Sequence, residues 1–157
     1  MKKLFLLTAL CGLFFSACKK YPDGPSFSLR SAEQRITGVW MLTSYTVDDV
    51  DSINIFSPYT DIPSLDLSDP TLSDSAGYII RGGMDTTNYV SNIGTFQLTE
   101  KKMKLVLTST KKVNQLNFYS PLITSETVTY EILRLKKKEL WLRTSFDGRN
   151  YELKYEK

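Results

Sequence analysis

The chain has 157 residues and no histidine, and its 20 Lys and Arg against 17 Asp and Glu leave a net charge of +3. Without histidine there is no His-based triad, no imidazole general base and no Cys/His zinc site, and so small a net charge gives no electrostatic argument for a nucleic-acid partner. The length fits one domain, large enough to bury roughly two-thirds of its unfolded surface.

Lys2 and Lys3 precede an apolar run from Leu4 to Phe15, too short to span a bilayer but suited to a secretory signal. The run ends Leu13-Phe14-Phe15-Ser16-Ala17-Cys18, with small residues just before a cysteine and Lys19-Lys20 after it. This resembles the lipobox of bacterial lipoproteins. The resemblance implies that residues 1–17 are removed as a signal peptide and that Cys18 becomes the lipidated first residue, making the membrane a partner. Cys11 would leave with the signal, so no intramolecular disulfide is expected. Loss of Lys2 and Lys3 would leave 18 basic against 17 acidic side chains, or +1.

Residues 18–30 carry Tyr21-Pro22-Asp23-Gly24-Pro25, which breaks regular structure and reads as a short tether between lipid and fold. The domain is expected over residues 31–157. Ser31-Ala32-Glu33-Gln34 has capping-box spacing, with Ser31 as N-cap and Gln34 reaching back, so one helical turn is expected before the first strand.

Gly38-Val39-Trp40 opens that strand, which runs to Val47. Glycine suits a bend into a sheet. Trp40 points to the same face and can plug the end of a barrel while its indole N–H seeks a carbonyl. From Asp48 to Gly77 the chain carries Pro58, Pro63, Pro70, several aspartates and no Lys or Arg. This is expected as a long first loop, packed over one end of the barrel through residues such as Ile55, Phe56, Leu65 and Leu67. Asp66-Leu67-Ser68-Asp69-Pro70 lacks the alternating ligands and central Gly of an EF-hand loop, so a solvated acidic segment is expected rather than a calcium site.

Period-two alternation then recurs between turn residues. Tyr78-Ile79-Ile80 reads as a second strand ended by Gly82-Gly83. Ile93 to Thr99 places Phe96 and Leu98 on one face, turns at Glu100-Lys101-Lys102, and returns through Met103, Leu105 and Leu107. Val113 to Tyr119 reads as a fifth run. Thr127 to Leu135 alternates Val128, Tyr130 and Ile132 with Thr129 and Glu131, and Lys136-Lys137-Lys138 is its exit turn. Leu140 and Leu142 alternate with Trp141 and Arg143, Asp147-Gly148 is a hairpin signal, and Tyr151, Leu153 and Tyr155 alternate with Glu152, Lys154 and Glu156.

The expected fold class is all-β: one antiparallel barrel of about eight strands, whose interior holds side chains or one small ligand. A two-sheet sandwich is the alternative. Parity puts the long first loop, Glu100–Lys102, Ser120–Glu126 and Asp147–Asn150 at the open end, and Lys136–Lys138 at the other.

Gly38-x-Trp40 after a helical turn, a long first loop and a run of hairpins resemble a lipocalin. The frame Ile36-Thr37-Gly38-Val39-Trp40 through Val47-Asp48-Asp49-Val50-Asp51 is similar to the lipocalin-like domain of Bacteroidetes lipoproteins. There is no Thr-Asp-Tyr before a late strand and no Arg after the last strand to stack on Trp40. Lys19 after Cys18, by resemblance to other lipoproteins, implies anchoring in the outer membrane, with the domain expected on the periplasmic face.

Two functions follow. Leu42, Phe96, Leu98, Leu105, Leu107, Tyr130, Ile132, Leu140, Leu142 and Tyr151 would hold a small apolar or amphipathic ligand inside the barrel. If these residues instead fill it solidly, the chain is a structural or protein-interaction module of the cell envelope, gripping an envelope protein through the lid and aromatics such as Tyr59, Tyr89 or Trp141. An enzyme would have Glu126 and Glu131 as its acid/base pair, but acids alternating along strands face solvent. No catalytic residue, metal or cofactor is therefore expected.

Overall fold

The computed structural model describes residues 21–22, 30–56, 61–67, 77–83, 89–114 and 120–157. Ser31 caps α1 (Ala32–Ile36): its hydroxyl accepts from the Gln34 N–H and the Gln34 side chain accepts from the Ser31 N–H, each at 3.2 Å. That reciprocal box satisfies two donors the short helix would otherwise orphan. β1 (Gly38–Val47) leaves through Gly38 at φ +118°, a conformation L side chains rarely adopt. The Asp48-Asp49 turn, both residues left-handed, leads into the two-residue β2 (Val50–Asp51), and a 3-10 turn over Ile53–Phe56 sets Phe56 edge-on to Tyr45 with ring centroids 5.2 Å apart.

Seven further strands follow: β3 (Asp61–Leu67), β4 (Gly77–Gly83), β5 (Tyr89–Thr99), β6 (Lys104–Asn114), β7 (Thr127–Leu135), β8 (Glu139–Phe146) and β9 (Arg149–Glu156). From β3 onward each is antiparallel to the next; β1 pairs with β3 on one side and with β9 on the other. β1 and β3–β9 therefore form a closed eight-stranded antiparallel barrel, not a two-sheet sandwich, and β2 is a ninth strand added to the end of β1.

The strand count is the expected one, but the strands are not the same eight. β3 runs through the segment expected to be a loop. Leu65 and Leu67 are fully buried and alternate with Ser64 and Asp66. Pro63 is tolerated because the pairing register slips between Asp61 and Ser64, an irregularity where no ladder donor is required. Conversely, Val113 and Asn114 finish β6 rather than opening a fifth strand, and residues 115–119 of that expected run lie outside the described residues. One strand gained early and one lost later leave the late parity unchanged. Between the two, parity is reversed, so the Glu100–Lys102 turn lies at the helix end with Lys136–Lys138, not at the open end.

The core is the barrel's interior, continuous from Trp40 and Leu67 near α1 to Tyr151 and Phe146 at the other end. Register slips between Leu42 and Ser44 and between Ile132 and Arg134 re-phase the alternation, so that Tyr45 and Leu135 remain buried. Gly94 is a close-approach position: a Cβ there would lie 2.0 Å from the Thr108 carbonyl oxygen and 2.8 Å from Tyr78 Cε1. The missing side chain is what lets the Tyr78 ring lie across the neighbouring strand.

Candidate functional site

The helix end is closed by a plug. Trp40 has no exposed surface, and its indole N–H donates to the Ile36 carbonyl at 2.6 Å. Lys157 Nζ stands 3.9 Å from the Trp40 ring centroid and donates to the carbonyls of Arg35, at 3.2 Å, and Thr37. Burial holds this ammonium below the usual lysine range. Lys157, the residue that follows β9, thus places a cation over the Trp40 ring. Gly38 leaves room for it, since a Cβ there would lie 3.1 Å from Lys157 Nζ and 3.2 Å from Cε and the lysine would have to shift slightly.

α1 is tied down on both flanks. Arg35 Nη1 donates to the Leu135 carbonyl at 2.6 Å, and Glu33 pairs with Lys102, whose hydrogen bond holds the Glu33 carboxyl below the usual carboxylate range. Tyr21, within the stretch expected as a short tether, is buried: its hydroxyl donates to the Lys102 carbonyl at 3.0 Å, and the Arg35 guanidinium lies 5.7 Å from its ring centroid.

Of the ten residues expected to line the interior, Leu42, Phe96, Leu105, Leu107, Tyr130, Ile132, Leu140, Leu142 and Tyr151 belong to the continuous core, and Leu98 packs half-buried against it. The structure adds three tyrosines to Tyr130. Tyr45, Tyr78 and Tyr155 are each about 1% exposed, and with Tyr130 they are close enough to influence one another's ionisation. Desolvation raises all four phenols, Tyr78 to about 12. Among the described residues no buried side-chain nitrogen or oxygen lacks a hydrogen-bond partner.

The opposite end is closed by a segment, Ser120–Thr124, that belongs to no long strand. All five residues are buried, which strands backbone groups unless side chains satisfy them. Asn92, on the inward face of β5, does much of this: its Nδ2 donates to the carbonyls of Leu122 at 3.1 Å and Thr124 at 3.0 Å, and its Oδ1 accepts from the Ser109 hydroxyl at 2.7 Å. Tyr130 donates to the Pro121 carbonyl at 2.8 Å. Within the segment, Ser120 Oγ accepts from the Leu122 N–H and Thr124 Oγ1 from the Glu126 N–H.

Other expected site residues are not brought together. Glu126 and Glu131 are both exposed, and Glu131 pairs across the sheet with Lys104 and Arg143. Trp141 lies on the outer face beneath two cations, Arg134 Cζ at 3.8 Å and Lys154 Nζ at 4.5 Å from its ring centroid, so it is no open aromatic anchor. Cys18, Tyr59 and the side chain of Tyr89 lie outside the described residues. The reading from residues alone misses Asn92 and the cap it holds. The signal available was parity, because Asn92 shares a face with Gly94, Phe96 and Leu98, and an inward amide needs buried partners.

No protein-family model matches the chain, and no curated protein matches it. Among solved structures it is similar to a lipocalin-like protein from Bacteroides uniformis ATCC 8492, with a TM-score of 0.52 and 12% identity, covering 78% of this chain and 98% of that one. At that identity the likeness is one of fold: the barrel is lipocalin-like.

Proposed function

We propose that the protein is a lipid-anchored envelope lipoprotein, attached through Cys18 to the outer membrane on its periplasmic side, that binds a small apolar or amphipathic ligand inside its barrel. The observation that carries the binding reading is the unequal closure of the two ends. The helix end is sealed by packed Trp40, whereas at the other end Ser120–Thr124, which places Leu122 and Ile123 in the core, has its carbonyls satisfied by side chains, those of Asn92 and Tyr130. Such bonds can be exchanged for bonds to water at small net cost, which leaves the exposure of Leu122 and Ile123 as the main cost of a way in past this segment. Leucines line the walls and tyrosine hydroxyls sit at depth, a combination that suits a ligand with an apolar body and a hydrogen-bonding group. Glu126 and Glu131 face solvent, and no catalytic step is proposed.

Native mass spectrometry with lipid extraction, on protein purified from its own host, tests the reading. A stoichiometric small molecule is expected, and it should be lost when Leu105 or Leu142 is changed to Trp to fill the barrel. A ligand at about a hundred times its Kd should add roughly 2.7 kcal/mol of stability. A clean apo mass, with no stabilisation across a panel of lipids and metabolites, would overturn the reading in favour of an envelope protein partner.

A further inference from the structure

We propose that the helix end of the barrel is a docking face for anionic phospholipid headgroups, holding the Ser120–Thr124 cap away from the bilayer. The anchoring half of the argument rests on the lipoprotein reading; the orientation rests on charge. The topology gathers two lysine turns at one end, Lys101-Lys102 between β5 and β6 and Lys136–Lys138 between β7 and β8, and Lys157 at the end of β9 joins them, its N–H donating to the Lys138 carbonyl. Glu33 engages Lys102, Glu139 engages Lys136 at 3.1 Å and Glu100 engages Lys104 at 2.6 Å, while exposed Glu156 precedes Lys157, so the lysines still outnumber the acids at this end. Lys101, Lys137 and Lys138 are exposed and form no ion pair among the described residues.

Among the described residues the capped end exposes Asp48, Asp49, Asp51, Glu126 and Asp147 together with Arg149, Lys111 and Lys112, so it lacks the excess of cations found at the helix end. Tyr21, buried at the helix end, is three residues after Cys18, a reach of at most about 11 Å. An acylated Cys18 would hold the lysine turns, and not the acidic end, toward the membrane. Lysines beside an anchor are attracted to anionic headgroups over about a Debye length, and each contributes about fivefold in partitioning.

The test uses the mature lipoprotein with vesicles of phosphatidylcholine alone or of phosphatidylcholine and phosphatidylglycerol in equal parts. Flotation on pure phosphatidylcholine reads the anchor by itself. Amine acylation followed by mass spectrometry reads the docking: Lys101, Lys137 and Lys138 should react several-fold more slowly on anionic than on zwitterionic vesicles, high salt should abolish the difference, and Lys111 and Lys112 should not change. Equal rates on the two vesicles, in protein that floats on both, would overturn the docking face and leave the anchor standing. Flotation on anionic vesicles alone, lost in the K101Q/K137Q/K138Q variant, would support the docking face and overturn the anchor. Flotation on neither would overturn both.

Discussion

At the helix end of the barrel, Trp40 is packed on all sides, stacked under Lys157 and tied to α1 through the Ile36 carbonyl. At the other end the buried segment Ser120–Thr124 is carried on Asn92 and Tyr130. The first closure depends on apolar area, which water cannot replace. The second joins the burial of Leu122 and Ile123 to a set of donors matched to carbonyls, and for those donors water can substitute. The two ends thus differ in kind: one is closed by a single packed ring, the other by a segment whose burial needs both apolar packing and donors from β5 and β7.

The largest expected effect comes from alkali, which attacks the interior that both ends share. Tyr45, Tyr78, Tyr130 and Tyr155 are raised above their ordinary value of 10.0 when folded. Their contribution is complete below that value and is lost as pH rises through the folded values, at about 1.4 kcal/mol per pH unit for each tyrosine. Lys157, lowered by burial, acts in the opposite sense, gaining stability as pH rises toward 10.5, but it is one group against these four and against Tyr21 and Tyr151, which burial also raises. Urea midpoints should fall steeply above about pH 10, and Tyr78→Phe should flatten the slope by one tyrosine's share. A flat profile in the parent protein would show that the phenols are not desolvated.

Trp40→Ala comes next, with an expected loss of about 3–5 kcal/mol in equilibrium unfolding. It should act on the whole barrel, since the plug is part of the common core. Asn92→Ala should be smaller, about 1–3 kcal/mol, because two buried carbonyls lose their donor but can recover water when the cap lifts. Its signature is local: amide exchange should quicken at Leu122, Ile123 and Glu126 while α1 keeps its protection. If α1 loosens equally, the two ends are not separate units and the contrast between them fails.

Much of the fold was legible because alternation is local. Ser31 and Gln34 announce the cap of α1, Gly38 and Trp40 the entry to β1, and Val128, Tyr130 and Ile132 the inward face of β7. β3 was hidden by Pro63, which breaks a strand pattern unless a bulge removes the need for its N–H, and a bulge is a property of the pair of strands rather than of one. The inner leucines were readable as a face. The cap was not, because burial of Ser120–Thr124 depends on Asn92, some thirty residues away in sequence, and on the barrel curvature that brings it there. Lys157 over Trp40 is legible only once β9 is known to close against β1.

That closure also fixes an order of events. β5 with β6 and β8 with β9 are hairpins of neighbouring segments and cost little chain entropy to form. The β1–β9 seam sets Met41 opposite Glu156 and Val47 opposite Tyr151, joining segments separated by most of the chain, the kind of contact that slows folding. Until the seam zips, β1 and β9 each carry a row of unpaired backbone groups, and another copy of the chain can offer either strand the partner it awaits. The interval before closure is therefore the barrel's period of greatest exposure to aggregation.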